Sequence, residues 1–554
     1  MKSSRVAFVA VILVQAALMF GQTQPNLETG YKPYGSHDVT SIDSINTMNG
    51  DLQLHIGLPF NYPQRGDRLA LPVYLHANSK GWHANSYSYS CGGSCTAFGW
   101  GNPPGGIQLI TSPTMAINRV WQSDAAYISG AMSYYHGGYY IVTRDGANHV
   151  LSGNPATADS MGEPWSFDAS DTSGLHLELS GPLGPGGVPS TAIVTDRNGN
   201  QYQFGPWGGR CRSNANAGAE GAMPHALGGG WNLNNYGQDT ITTCNQRTVA
   251  QSIKDSNGNV INFDSLDTLG RSPYSGSSTT DYSGCVGVVS SAMIYNFAAY
   301  NGGSAQLKLC STTPNVATAF NVPNVAEYPT WPGATNNDYQ WPTRSWVTTA
   351  ILPDGSKYTF SYDNYGEITA IGLPTGGSIS YTWTTIALNP CTDPTPVSRA
   401  VASRSFNDGL GHTQTWSYVY STLSANSLMT TVTDPNQNDT VHIFSPTDNS
   451  GCMLYETSTR FYSGSSSSGP PLKQVDTHYL SVLVPDDTGY PASMVGNVVP
   501  DSVKTSVYPS NKMTQVTKSY DPPQSSTGVI FGNVVTEKLY DWGPGGPGSG
   551  PGAL

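Results

Sequence analysis

The sequence predicts an all-β protein built as an array of β-hairpins. Three observations carry that prediction. Short runs with apolar residues at every second position recur between clusters of Gly, Asn, Asp and Pro, the pattern of half-buried strands. No stretch after residue 20 repeats apolar residues at i, i+3, i+4 and i+7, so helices are not expected. Residues 351–383 fall on themselves when slid by 21 positions. Leu352 and Pro353 then land on Leu373 and Pro374, and Gly355 lands on Gly376. Tyr358, Phe360 and Tyr362 land on Ile379, Tyr381 and Trp383. Each half reads as a turn followed by a strand, and such internal repeats fix an architecture before any single residue does.

The elements follow in order. Lys2 and Arg5 precede an apolar run from Val6 to Phe20, with polar sequence after Gly21. Residues 1–21 therefore read as a secretory signal peptide, with an uncleaved signal anchor as the alternative. An exported, secreted or cell-surface protein is expected, with no membrane contact beyond that segment. Residues 22–150 form an N-terminal β-rich domain, with strand-like pieces at 52–56 and 139–143. Residues 151–462 hold the hairpin array. A Gly/Ser-rich break at 463–469 (SGSSSSG) precedes a further β segment over 470–540. Residues 541–554 are a Gly/Pro-rich tail, a linker composition that cannot pack. Such a tail fits either the front part of a longer protein or a free end.

A turn recurs through the array. Asp is followed three residues later by Gly at Asp196/Gly199, Asp255/Gly258, Asp267/Gly270, Asp363/Gly366 and Asp408/Gly411. Asn198-Gly199 and Asn257-Gly258 predict two-residue hairpin turns with positive φ at both central residues. The strands after them place Tyr202 with Phe204, and Ile261 with Phe263, on one face. A lone hairpin is barely stable in water, so the units must share a buried face.

Composition narrows the partners. Charged residues make up 11% of the chain, and the formal net charge is −12. No basic cluster follows the extreme N-terminus, which argues against nucleic acid and against an anionic membrane surface. Eight cysteines in an exported chain read as disulfides. Neighbour pairing gives Cys91 with Cys95, Cys211 with Cys244, Cys285 with Cys310 and Cys391 with Cys452, out of 105 possible pairings. Zinc needs two close pairs, and only Cys91 and Cys95 are close.

Several residues invite a chemical reading. Asp196-x-Asn198-x-Asn200, Asp255-x-Asn257-x-Asn259 and Asp434-x-Asn436-x-Asn438 space oxygens as calcium loops do, but position 12 holds Trp207, Leu266 and Ser445 instead of Glu. Asp and Asn capping their own turns explain the same spacing. No Gly-x-Ser-x-Gly or His-Glu-x-x-His stretch occurs. His136, among Tyr134, Tyr135, Tyr139 and Tyr140, and Trp82, Trp100, Trp121 and Trp165 are candidates for stacking on sugar rings, or for ordinary packing. No catalytic residue, metal ligand or cofactor is assigned from the sequence.

The array resembles the YD repeats of the RHS-repeat family. The Tyr-Asp pair stands at Tyr362-Asp363, followed by Gly366, Ile368 and Ile371, with residues 374–377 opening the next unit. Residues 265–271 resemble a copy with Leu266 for the tyrosine, and Tyr520-Asp521 and Tyr540-Asp541 resemble partial copies. Residues 26–66 resemble the opening of large exported bacterial YD-repeat proteins. The resemblance implies a curved sheet or partial β-shell that encloses a cargo, as in insecticidal toxin complexes, or serves adhesion, as in teneurins. The family's self-cleaving aspartate region has no counterpart here. The expected function is a non-enzymatic structural or interaction protein whose partner is a protein cargo or a cell-surface glycan or protein. A carbohydrate-binding surface protein is the alternative, and a secreted glycan hydrolase the remote one. The repeat core expected to pack, with no chemistry to perform, is Tyr358, Phe360, Tyr362, Asp363, Gly366, Ile379, Tyr381 and Trp383.

Overall fold

A computed structural model describes residues 28–544 apart from 63–70, 91–93, 101–103, 111–114, 126–132, 136–138, 144, 154–164, 184–188, 215–239, 264–273, 299–302, 314–315, 317, 319–344, 389–396, 425–426, 448–453, 485–493 and 524–528. Among the described residues the regular structure is all strand, 34 strands in three antiparallel sheets. The segment expected to be a signal peptide, the chain after residue 544 and the expected copy at 265–271 lie outside the described residues.

The opening sheet has five strands, in the order His37–Val39, Asp43–Asn46, Leu52–Tyr62, Leu71–Asn78 and Gln108–Ile110. Alternation along Leu52–Tyr62 sends Leu52, Leu54, Ile56, Leu58 and Phe60 to one dry face, while His55 and Gly57 point to water.

The second sheet closes on itself. Ala116–Ala125, Tyr139–Val142, Asn148–Gly153, Ser166–Ala169, His176–Leu183, Pro189–Thr195, Gln201–Phe204 and Thr240–Lys254 form a ring of eight, closed where Thr240↔Ala125 through Val249↔Ala116 pair. Ile117, Tyr139, Ile141, Phe167, Leu177, Val194 and Phe204 fill its centre. Eight strands leave room for side chains and little else.

The third sheet has eighteen strands and carries the repeats. It runs as a meander in sequence order from Tyr274–Thr279 to Val534–Pro544. Residues 463–469 are the turn of one of its hairpins: Phe461 pairs with Lys473, and Asp439 accepts the Ser466 N–H at 2.7 Å. The hairpin His83–Ser90 and Ser94–Trp100 then joins the far edge. His83–Ser90 also pairs with Val397–Asn407, so ten strands make a second closed path. A sheet closed this way has no free edge to template aggregation along that path.

The turns differ from the two-residue form expected. In each, the Asp carboxylate accepts the N–H groups two and four residues on: Asn198 and Asn200 at Asp196, Asn257 and Asn259 at Asp255, Tyr365 and Glu367 at Asp363, Leu410 and His412 at Asp408, Asn436 and Asn438 at Asp434. The N–H of residue i+3 returns to the Asp carbonyl at four of them. At those four only that residue is left-handed, with φ of 78° at Gly199, 85° at Gly258, 81° at Gly366 and 65° at Gln437, whereas after Asp408 both Gly409 and Gly411 have positive φ. Each of the four is a type I turn followed by one left-handed residue, a three-residue hairpin loop. The carboxylate bonds explain why it wins. They satisfy two backbone donors that a two-residue turn would leave to water.

Gly366 and Gly376 separate two costs. At Gly376, φ is 92° and a Cβ would meet nothing within 4 Å. At Gly366, a Cβ would lie 2.1 Å from the Trp346 ring. Gly376→Ala should therefore cost about 1–2 kcal/mol from backbone strain alone. Gly366→Ala should cost clearly more, because Trp346 must also move. Urea unfolding midpoints of the two variants check the order.

Candidate functional site

The region richest in functional groups is the interface where the opening sheet lies on the repeat sheet. Its apolar part is one continuous core. Ile45, Leu52, Leu54, Ile56 and Leu75 from the first sheet meet Phe360, Ile371, Ile379, Tyr381, Val401 and Tyr418 from the third. Backbones approach closely at Gly50, where φ is 70° and a Cβ would lie 2.4 Å from the Ala400 Cβ.

Charged groups are set into this dry interface in two clusters. In the first, Arg404 reaches Asp38 at 3.2 Å and Asp43 at 3.4 Å. Tyr381 donates its hydroxyl proton to Asp43 at 2.7 Å, and Tyr418 donates to Asp38. The guanidinium also lies over the Trp416 ring, 4.7 Å from its centre. Burial raises the Tyr381 and Tyr418 hydroxyls far above the usual phenol range, and the adjoining carboxylates push the same way. They stay protonated and act as donors.

In the second cluster, Glu367 accepts from Arg399 Nε at 3.1 Å, with the other Arg399 nitrogen 3.0 Å away. Arg399 stacks on Tyr365 at 4.1 Å. Lys80, just after the strand Leu71–Asn78 of the opening sheet, donates to the Asn49 carbonyl at 2.8 Å and to the Arg399 carbonyl at 2.6 Å. Part of its stem meets solvent, but its ammonium is enclosed, and burial lowers its pKa to about 8 against the pull of Asp51 and Glu367. Burial raises Glu367 to about 8, opposed by Arg399. Asp51 is buried and raised by desolvation, and it accepts from Ser79 Oγ and Asn78 Nδ2, each at 2.9 Å. A void of about 10 Å3 beside Leu54, Ala77, Gly366 and Trp383 is no larger than one water. The arrangement is chemically a fastening, in which each carboxylate meets a donor from the facing sheet or from its own.

The sequence-predicted residues distribute as follows. Phe360, Ile379 and Tyr381 are buried, and Tyr358, Tyr362 and Trp383 pack half-buried against the same core. Tyr362 donates to the Val347 carbonyl at 2.7 Å, and Trp383 Nε1 donates to the Ile368 carbonyl at 3.0 Å. Asp363 and Gly366 make the turn between them. Cys285 and Cys310 are bonded, with Cα atoms 5.9 Å apart. Cys211 and Cys244 are Cα partners across adjacent strands. Cys95 lies in the strand Ser94–Trp100. Cys91, Cys391, Cys452 and His136 lie outside the described residues. Trp100 and Trp121 lie on strands, and Trp165 is half-buried.

Trp82 resolves to ordinary packing, one of the two readings open for it. It is 1% exposed, and its Nε1 donates to the Tyr365 carbonyl at 2.7 Å. It packs the interface and offers no face to a sugar. At the three calcium-like spacings, Asn200, Asn259 and Asn438 turn their amide nitrogens onto the Asp carboxylates at 2.9, 2.7 and 3.1 Å. A donor aimed at the carboxylate is the opposite of a ligand set. Among the described residues no group of three or more His, Cys, Asp or Glu side chains could hold a metal.

The sequence reading missed Asp38, Asp43, Asp51, Lys80, Glu367, Arg399 and Arg404. One signal was available for Arg404. It sits in phase with Phe406 on an alternating strand, and in a chain so poor in charge an ion at an apolar-phase position marks a buried partner. The small barrel holds two histidine pairs as well. Ser166, His176 and Asp168 lie in the order of a nucleophile, base and orienting acid, at 3.5 and 2.7 Å. His176 also faces Glu178 at 3.6 Å, and its hydrogen bond to Asp168 raises its pKa. The Ser166 contact lies at the outer limit of a hydrogen bond, and the imidazole is shared by two carboxylates instead of being held by one. His149 is pulled down by burial, but its bond to Asp171 at 2.7 Å together with the charges of Asp171 and Asp145 raises it on balance.

No protein-family model matches the chain, and no curated protein does. Comparison with solved structures finds a weak likeness to a structure titled "Crystal Structure of TcdB2-TccC3". The two are 10% identical, with a TM-score of 0.16. The alignment takes in 95% of this chain and 26% of that one, so this chain spans about a quarter of that protein's length. A likeness of that size carries no argument.

Two consequences are measurable. Replacing Arg404 by Met leaves the buried Asp43 and the half-buried Asp38 without their cation, and should cost about 3–5 kcal/mol, read from urea unfolding. For pH, a carboxyl raised from 4.5 to about 8 on folding contributes stability that is full below pH 4.5 and lost as pH rises to 8. The wild-type unfolding midpoint should fall from pH 5 to 8 more steeply than that of Glu367→Gln.

Proposed function

We propose that this chain is a non-enzymatic, exported structural protein of the RHS/YD-repeat type, the front part of a β-shell that encloses a cargo or presents an adhesion surface. The observation that supports this reading best is the use made of the repeat sheet. Sixteen of its eighteen strands follow one another in chain order, and the face carrying Tyr381 and Tyr418 is occupied by the chain's own opening sheet. Polar groups at that interface are spent on joining the two sheets, which is the work of a wall. The quoted Tyr362-Asp363 turn and the strand units after it are the residues that tie the reading to the family.

Export and partner binding test it together. The full chain, expressed in a bacterial host and fractionated, should be found beyond the inner membrane with a new N-terminus near Gln22. Chemical cross-linking there should capture a stoichiometric protein or glycan partner, with no turnover of a polysaccharide panel. Retention of uncleaved chain in the cytoplasm, or turnover of any polysaccharide, would contradict the proposal.

A further inference from the structure

The outer face of the repeat sheet is ordered in a way that the shell reading does not use. Strands Ser378–Ile386, Val397–Asn407 and Thr413–Ser424 lie side by side. Their inward positions hold Tyr381, Arg404 and Tyr418. Their outward positions hold hydroxyls in register: Ser380↔Ser405↔Thr415 in one row and Thr382↔Ser403↔Ser417 in the next. All six are exposed or half-buried. Strand geometry spaces such a grid about 4.8 Å across strands and about 6.7 Å along them. Ser405 and Thr415 bond each other at 2.8 Å, and Thr382 and Ser403 do so at 2.6 Å. Each hydroxyl has one donor and two acceptor sites, so these contacts hold the groups in place and leave capacity facing out.

The face also lacks charge. The charged side chains in these three strands are Arg399 and Arg404. Both are consumed on the inner side by Glu367, Asp38 and Asp43. Further along the outer face of Thr413–Ser424, Val419 and Leu423 are 61% and 52% exposed. Uncharged hydroxyls beside small apolar patches match a ligand with alternating O–H and C–H surfaces. An anionic polymer would meet a chain of net charge −12 with no cation on this face to receive it. A rigid flat lattice such as ice would lose register as successive strands twist, whereas a polymer chain can follow them.

We propose that this grid is a docking surface for a neutral polysaccharide chain, running across the three strands. The test uses the full chain with microcrystalline cellulose, chitin and amylose as probes, and alginate as the charged control. Expected is saturable binding to at least one neutral probe, unchanged at about 1 M salt, where charge attraction is screened. Ser403→Glu with Ser405→Glu should weaken it about tenfold or more. Thr382→Ala with Ser403→Ala removes hydroxyls without adding charge and should weaken it in the same direction at an unchanged thermal midpoint. No binding to any neutral probe, binding to alginate alone, binding untouched by the alanine pair, or ice shaping without polysaccharide binding would each overturn the proposal. None of these outcomes bears on export or on the shell reading.

Discussion

The structure depends on desolvated ion pairs set into a shared apolar interface. Removing Arg404 and Asp43 from water costs several kcal/mol per ion unless geometry is good and the remaining lone pairs are met. Here Tyr381 and Tyr418 meet them, from the same strands that supply the core. Apolar burial between two sheets is non-directional and tolerates sliding. Ion pairs do not tolerate it. Sliding one sheet over the other would carry Arg404 away from Asp38 and Asp43, leaving Asp43 buried without its cation. The apolar contact thus supplies most of the association energy, and the charges fix its register.

The rest of the architecture follows from that fixed register. The opening sheet is held against Ile379, Tyr381 and Val401, so the chain that leaves it at Asn78 is brought beside Val397–Asn407. Lys80 and Trp82 anchor that exit through Arg399, Ser398 and Tyr365. The hairpin that follows, His83–Ser90 and Ser94–Trp100, is thereby delivered to the repeat sheet and completes its ring. The small barrel is tied in separately. The Tyr31 N–H donates to Asp145 at 2.6 Å, and Arg197 donates to the Phe531 carbonyl.

What was legible in the sequence was local. The alternation in 351–383 gave the strands and their inward residues, because period-two burial is written in consecutive side chains. The turns at Asp196, Asp255, Asp363 and Asp408 were placed correctly, but the type expected at the two Asn-Gly turns was not. Asn-Gly pointed to a two-residue loop, and the Asp carboxylate that captures two backbone N–H groups decided for a longer one. Closure was not legible in either ring. Ala116–Ala125 meets Thr240–Lys254, and His83–Ser90 meets Val397–Asn407, across separations that leave no mark on local composition. Which of the two readings of Trp82 holds was not legible for the same reason. An aromatic residue beside Gly81 in a polar stretch looks exposed until the strand that covers it is known, and Tyr365 lies far away in the chain. The buried charges were hidden by being scattered singly, with partners on distant strands.

The central claim is that the opening sheet and the repeat sheet unfold as one body because they share one dry interior. Amide hydrogen exchange on the full chain tests it most directly. Amides of Leu52–Tyr62 and of Ser378–Ile386 should exchange through a common opening of the same free energy, and both should accelerate together when Tyr381→Ala weakens the repeat side. Exchange in Leu52–Tyr62 that is faster than in Ser378–Ile386, and indifferent to Tyr381→Ala, would contradict the account.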